Sequence, residues 1–451
     1  MRRVTSEPGP RVRGVGRVWA IGGAFLTSGL LCATSWSQSI TWMGTLGGNA
    51  SGAWSVSLDG RYVVGYAQNA SGLYRAFRWD AITGQMQELG ALDVIGYSHA
   101  TAYGVSADGS VVVGRAAQNP QPRFGEQPPW RAFVWRESTG QMQDLGTLGG
   151  AWSAAASVSA DGRYVAGYAW DISGRRRPTV WDLAHGHLTD LGTLGGSQGE
   201  AYDISADARF IAGYTWIDDS PEVRAFLWDA VTGQMRNLGT LGGWSVAYGV
   251  SIDGRVVVGW SQRVPGGSWV AFWWDADNGQ MRDLGTFGGS TSLARSVSQD
   301  GRYAVGFAEA SNGQQRAFRY SPQAGVLEDL NQTYASLLSN GSLLTMATDI
   351  SADGRYIVGE GYNAATERTE AFLLDTAALG AFRILKVTPG NGRLTIEWEA
   401  RSGAKYQLQA ADAVSGPWRD VGPEIIASGP TASYTDDASS VRQRFYRVVA
   451  R

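Results

Sequence analysis

The chain repeats itself, and that restricts what it can become more than any single motif does. An aspartate at the head of a tight turn recurs as Asp59, Asp108, Asp161, Asp207, Asp253, Asp300 and Asp353, at intervals of 46 to 53 residues. One unit reads Ala247-Tyr248-Gly249-Val250-Ser251, then Ile252-Asp253-Gly254, Arg255-Val256-Val257-Val258-Gly259, a variable stretch, Ala271-Phe272-Trp273-Trp274-Asp275, and Gly279-Gln280-Met281-Arg282-Asp283-Leu284-Gly285. Each unit therefore holds four short runs of β-branched and aromatic residues separated by turn signals. The Asp-Gly pair favours a hairpin because glycine takes the positive φ such turns need. Four strands per period of 40 to 50 residues is the blade of a β-propeller, so the spacing predicts seven blades over residues 38–375. Composition agrees, with 61 glycines, 19 tryptophans and 18 tyrosines in 451 residues.

A ring of blades must close or it leaves an unpaired edge. The seventh unit contains Ala371-Phe372-Leu373-Leu374-Asp375 but no Gly-Gln-Met-x-Asp-Leu-Gly after it. Ile40-Thr41-Trp42-Met43-Gly44-Thr45-Leu46-Gly47-Gly48 matches that missing segment, so residues 40–44 are expected to supply the last blade's outer strand. Between the sixth and seventh units, Leu330, Leu337 and Leu338 share one side of a short helical insertion with a packing role.

The two ends differ from the repeats. Arg2, Arg3, Arg11, Arg13 and Arg17 precede an apolar stretch from about Val18 to Ala33, with small residues at Ser35 and Ser37. That pattern reads as a secretory signal over residues 1–37; Gly22, Gly23, Ser28 and Gly29 make it a poor membrane anchor. Cys32, the chain's one cysteine, lies inside it, leaving the mature chain without disulfide or thiol chemistry. After a linker at 376–381, residues 382–451 alternate as Leu394-Thr395-Ile396-Glu397-Trp398, Tyr406-Gln407-Leu408-Gln409 and Arg444-Phe445-Tyr446-Arg447-Val448, the pattern of a small β-sandwich with Trp398 in its core.

The recurring Asp-Leu-Gly-Thr-Leu-Gly-Gly, Ser-x-Asp-Gly and Ala-Phe-x-Trp segments resemble the HAF repeat of predicted extracellular bacterial proteins over about residues 40–375. The resemblance implies an exported protein and assigns no catalytic residue. No unit carries the family's His: Arg75, Arg131, Arg224, Arg316, Val270 and Glu370 precede the Ala-Phe pair, and the third unit reads Pro178-Thr179-Val180-Trp181. Residues 382–451 are similar to fibronectin type III-like modules.

Little in the chain suggests an active centre. Gly195-Gly196-Ser197-Gln198-Gly199 spells a nucleophile-elbow string but is another copy of the interblade loop. His99, His185 and His187 are the three histidines, and His185 and His187 occupy a turn. The turn aspartates lie one per blade and cannot converge on a metal ion. Arg175-Arg176-Arg177 is read as a solvated loop. No cofactor or metal is expected, the net charge of −3 offers no footprint for nucleic acid, and no span is expected in the mature chain, which is read as a monomer.

Variation between repeats points to one face, where the loop from second to third strand and the Leu-Gly-Gly loop meet. Trp152, Trp170, Trp216, Trp244, Trp260 and Trp269 lie in or beside those loops and form the candidate binding patch for a glycan, peptide or protein. A propeller glycosidase or polysaccharide lyase is the alternative, with Asp171, Asp218, Asp219, Glu222 and Glu309 as loop carboxylates to screen. A structural spacer is a third reading.

Overall fold

The fold is all-β. The computed structural model describes residues 38–92, 99–117, 129–218, 222–376, 384–390, 393–400, 405–411, 419–429, 431–437 and 445–450; the expected signal segment lies outside them. Two compact units are present, one spanning Ser39–Thr376 and the other containing Ala377–Arg451.

In the larger unit each repeat corresponds to four antiparallel strands arranged like a β-propeller blade; five repeats form separate four-stranded sheets, and the first and seventh are joined by one parallel bridge, Ala50 to Thr369, into an eight-stranded one. The first runs Gly47–Val56, Tyr62–Asn69, Tyr74–Asp80 and Gln85–Glu88, in that spatial order. The seventh repeat supplies Leu343–Ile350, Tyr356–Asn363 and Arg368–Asp375, and its fourth strand is Ser39–Trp42, paired Ser39 to Asp375 and Trp42 to Phe372. Met43 N–H then donates to Ala371 O at 2.9 Å, the bond that Leu89, Leu238 and Leu284 make to Ala76, Ala225 and Ala271 in other repeats. The expected match between residues 40–44 and the outer strands holds at the level of individual hydrogen bonds.

The Asp-Gly turn owes its persistence to a small network. Ser57 Oγ donates to Asp59 Oδ1 at 2.7 Å, the same oxygen accepts Arg61 N–H at 3.0 Å, and Tyr62 N–H donates back to Ser57 Oγ at 2.9 Å. The Ser-Asp bond recurs at Asp108, Asp161, Asp207, Asp253, Asp300 and Asp353. Each turn carboxylate is thus committed to its own turn. Glycine follows with φ near +70° (Gly254, +67°), except in the fourth repeat, where Ala208 takes φ +62°. An L-residue there costs roughly 1 kcal/mol.

Hydrophobic cores form between consecutive sheets. One packs Tyr62, Val64 and Ala76 of the first repeat against Ala102, Val112, Phe133 and Trp135 of the second, and another joins Met43, Phe77 and Trp79 to Tyr356, Val358 and Leu373 of the seventh. The Ala-Phe-x-Trp strand feeds these cores: Phe77, Phe133, Phe226, Phe272, Phe318 and Phe372 are all fully buried, each contributing roughly 2–3 kcal/mol. Buried serines tie neighbours together. Ser153, Ser245 and Ser292 Oγ accept the N–H of Ala132, Ala225 and Ala271 in the preceding sheet, and Ser51 accepts that of Ala371. The third repeat has Pro178 in the alanine's place; proline has no N–H to give, and the next repeat has Gly199 there, close against the proline ring. The insertion is a short helix, Leu330–Thr333, and a 3-10 turn, Ala335–Leu337, that bury Leu330, Tyr334 and Leu338.

In the C-terminal unit, Ile384–Gly390, Arg393–Glu399 and Thr431–Asp437 form one three-stranded sheet, and Arg419–Ile426, Lys405–Ala411 and Phe445–Ala450 another. Leu394, Ile396 and Trp398 from the first share a core with Tyr406, Leu408, Tyr446 and Val448 from the second. No helix among the described residues is long and apolar enough to cross a membrane.

Candidate binding cavity

The first strand of every repeat contains a β-bulge at the same place, and the bulges build a site. The register slips between Ala53 and Ser55, Ala102 and Gly104, Ala155 and Ser157, Ala201 and Asp203, Ala247 and Gly249, Ala294 and Ser296, and Ala347 and Asp349. Backbone contact explains why the second strand always has glycine beside the bulge: a Cβ on Gly259 would lie 1.9 Å from Val246 O. Each slip leaves one residue without a ladder partner, and a bulged residue is turned away from the pleat. These residues are Trp54, Tyr103, Ala156, Tyr202, Tyr248, Arg295 and Thr348, and all seven line one cavity of about 530 Å³.

Their side chains form a collar. Trp54 meets Tyr103 edge to face at 5.5 Å, and Tyr202 meets Tyr248 at 4.7 Å. The Arg295 guanidinium links the two pairs, its Cζ 4.7 Å from the Trp54 ring centroid and 4.5 Å from that of Tyr248. Thr348, which donates to Ala53 O at 2.9 Å, is small enough to let Arg295 reach past it. The collar opens at Ala154-Ala155-Ala156, where the wall continues to Arg115, Tyr168, Arg176 and Glu200. Arg115 stacks on Trp130 at 4.6 Å and on Tyr103 at 5.7 Å. Glu200 is held by Arg176 and accepts the Tyr214 hydroxyl at 3.0 Å; burial of the phenol, with the Glu200 carboxylate adding to it, raises its pKa well above the ordinary range.

Below the collar two aspartates fasten sheets together in the same way. Asp203 Oδ1 accepts Ser157 Oγ at 2.8 Å and Ile204 N–H at 2.9 Å, while Oδ2 accepts Val250 N–H at 2.9 Å. Asp349 Oδ1 accepts Ser296 Oγ at 2.6 Å and Ile350 N–H at 2.9 Å, while Oδ2 accepts Val56 N–H at 2.9 Å. Each carboxyl spans three sheets. Enclosure by protein raises the Asp203 pKa to about 7, its hydrogen bonds opposing the rise and the Asp349 carboxyl adding to it. Asp349 is raised for the same main reason, its enclosure.

The six loop tryptophans lie elsewhere. Trp152 and Trp170 pack together at 5.8 Å, and Trp260 and Trp269 at 6.0 Å with Phe307 edge-on at 5.8 Å. The backbone of Trp216 runs against Gly196, and Trp244 is 42% exposed. Among the described residues no ring contact links one tryptophan pair to the other.

The loop carboxylates serve their own surroundings: Asp171 pairs with Arg175 at 3.0 Å, Glu222 with Arg224 at 2.6 Å, and Glu309 accepts Ser290 and Thr291 N–H, both at 3.1 Å. Asp218 occupies φ +48°, and Asp219 lies outside the described residues. The arginine triplet is paired rather than free, Arg175 to Asp171, Arg176 to Glu200 and Arg177 to Asp190. His185 sits 2.8 Å from Asp182, whose carboxyl is held well below its ordinary range chiefly by Arg163. Gly195–Ile204 is a continuous strand, which rules out a strand-to-helix elbow at Ser197. Among the described residues no group of three or more His, Cys, Asp or Glu could hold a metal ion.

The collar column was visible in the sequence, five residues before each turn aspartate, as a varied position directly after an alanine shared by all seven units.

No family model matches the chain, and no curated protein matches it. Several solved structures are similar in fold. They include TolB from Acinetobacter baumannii (15% identity, 71% of this chain and 81% of that one, TM-score 0.40). An oligogalacturonate lyase from Vibrio parahaemolyticus is 10% identical over 81% of this chain and 97% of the other, with a TM-score of 0.47. The β-propeller domain of the Trilobed protease from Pyrococcus furiosus is 10% identical over 67% and 89%, with a TM-score of 0.42.

Proposed function

We propose that the chain is an exported, non-enzymatic β-propeller of seven HAF-like blades, followed by a fibronectin type III-like β-sandwich, and that it binds a glycan, peptide or protein segment in the collared cavity. Ring closure is supported by the Ser39–Trp42 pairing and by Ser51, which joins the first sheet to the seventh with the bond used between consecutive sheets. The observation carrying the binding role is the collar itself. Seven equivalent bulges present seven side chains to one cavity, five of them Trp, Tyr or Arg, each directly after an alanine that all seven repeats share. A scaffold that repeats its structural positions and varies the lining of a cavity has the arrangement of a recognition site.

Glycan and peptide arrays with the purified protein test this. Trp54→Ala and Tyr248→Ala should each abolish the signal, whereas Trp152→Ala should leave it; array binding that survives both collar substitutions would move the site elsewhere.

A glycosidase or lyase is the second reading, favoured by one observation: Asp203, with a pKa near 7, lines the cavity, and a carboxyl in that range suits proton transfer at neutral pH. Its three hydrogen bonds favour a structural duty. Turnover of a bound glycan that disappears in Asp203→Asn would select the enzyme.

A further inference from the structure

We infer that the ligand of this cavity carries an oxyanion, a carboxylate or phosphate, received by the guanidinium groups of Arg115 and Arg295. The inference rests on the binding role proposed above and names the chemistry the cavity would read.

Four other arginines, each just before a second strand, show one way the chain treats a guanidinium needed only for structure, while Arg236 and Arg282 stack on Trp274 and Tyr320 outside the cavity without an ion pair among the described residues. Arg61, Arg163, Arg209 and Arg355 each lie over the ring of the next residue and each pair with a carboxylate on a neighbouring strand, Asp80, Asp182, Asp229 or Asp375, at 2.8–3.2 Å. Arg115 and Arg295 keep the stacking and lack the carboxylate: among the described residues neither forms an ion pair. Arg115 Nε is buried without a hydrogen-bond partner, as are Arg61 Nε and Arg316 Nε, but those two arginines pair with Asp80 and Asp329 through other nitrogens. With aromatic rings against their faces, these guanidiniums have only their in-plane N–H edges left for polar contact, and that edge matches two oxygens of a carboxylate or phosphate.

The repeat does not require either arginine. Arg115 stands opposite Thr101, in the position filled by Tyr66, Tyr168, Tyr214, Trp260, Phe307 and Glu360 in the other sheets. Arg295 is likewise the one charged residue of the collar. The cavity's acids do not neutralise them. Glu200 is bound to Arg176, and Asp203 and Asp349 direct both oxygens at serine hydroxyls and backbone amides. A volume of about 530 Å³ admits a small molecule or one acidic side chain.

The test is calorimetric titration of the purified full chain with three probes of similar shape: glucuronate, glucose 6-phosphate and glucose. At least one of the charged probes should bind saturably, more weakly as salt rises, and glucose should bind at least about tenfold more weakly. The better charged probe identifies the oxyanion. Arg115→Met and Arg295→Met should each weaken it by about tenfold or more, with Arg115→Lys and Arg295→Lys intermediate, while Arg61→Met should not change it. Should a methionine variant unfold, its lysine variant carries the test, since loss of the fork alone must weaken binding. Glucose binding as tightly as the charged probes, or arginine variants at wild-type affinity, would overturn the inference. In that case neutral array ligands lost in Trp54→Ala leave the cavity's binding role standing. If no ligand, charged or neutral, depends on the collar, the binding role fails with it.

Discussion

The turns at one end of the first strand and the bulge a few residues before them have been repeated the same number of times, with opposite results. Around Asp59 and its six counterparts the residues hardly change, and the same serine-to-aspartate hydrogen bond recurs each time. At the bulge the backbone repeats equally well, yet the side chains run Trp, Tyr, Ala, Tyr, Tyr, Arg, Thr. A turn constrains its residues through hydrogen bonds and a positive φ, so every copy needs the same solution. A bulged residue facing a cavity is constrained only by its neighbours across that cavity. Repeated residues therefore hold the sheets, and the unrepeated ones line the cavity.

The comparison breaks first at the seam. Deleting residues 38–46 removes Met43 and Trp42 from their cores and bares the Arg368–Asp375 edge; thermal unfolding should begin on the order of 10 °C earlier. An unchanged melting curve would mean that the closing strand contributes nothing to stability.

Asp203 and Asp349 come next, because each directly follows a collar residue yet acts structurally. Replacing either with Ala should cost roughly 2–3 kcal/mol in denaturant titrations, from lost hydrogen bonds to hydroxyl and amide groups. The cost should depend on pH. With its folded pKa raised to about 7, Asp203 retains a proton that the unfolded chain releases near pH 4. The folded state then binds more protons between those values, so its contribution is full below about pH 4 and declines as pH rises towards 7. Asp203→Ala should accordingly destabilise more at pH 5 than at pH 7.5; equal costs at the two pH values would show that the carboxyl is ionised in the folded protein at both.

Smaller effects probe the turns. Gly254→Ala places a Cβ 2.7 Å from the Phe210 ring at φ +67° and should cost roughly 1–3 kcal/mol. Ala208→Gly relieves the one turn that lacks glycine and should gain about 1 kcal/mol, readable as a higher urea midpoint. Smallest in stability is Tyr248→Ala, within about 1 kcal/mol of the parent because the residue faces the cavity and takes no part in the ladder. Its effect should be confined to binding.

Much of this architecture is legible in the chain because its constraints are local. Strand, turn and strand lie within a few residues of one another, so the Asp-Gly pair and the alternation around it report directly on the hairpin. Even the distant pairing of residues 39–42 with 372–375 could be read, since a missing repeat segment at one end reappears at the other. The cavity was less accessible. Trp152, Trp216 and Trp260 attract notice as tryptophans near loops, but they pack in separate places, while Trp54, Tyr103 and Tyr248 sit inside strands that look purely structural.

The sequence by itself determined the all-β class, the repeat, its turns and the segment that completes the last sheet, because each depends on residues close in the chain or identical between copies. Tertiary structure alone decided which side chains meet. Arg295 lies 241 residues from Trp54 and 47 from Tyr248, yet it stacks on both. A bulge turns one residue from each sheet towards the same space, and the packing of the sheets, which no local pattern encodes, sets which of those residues become neighbours.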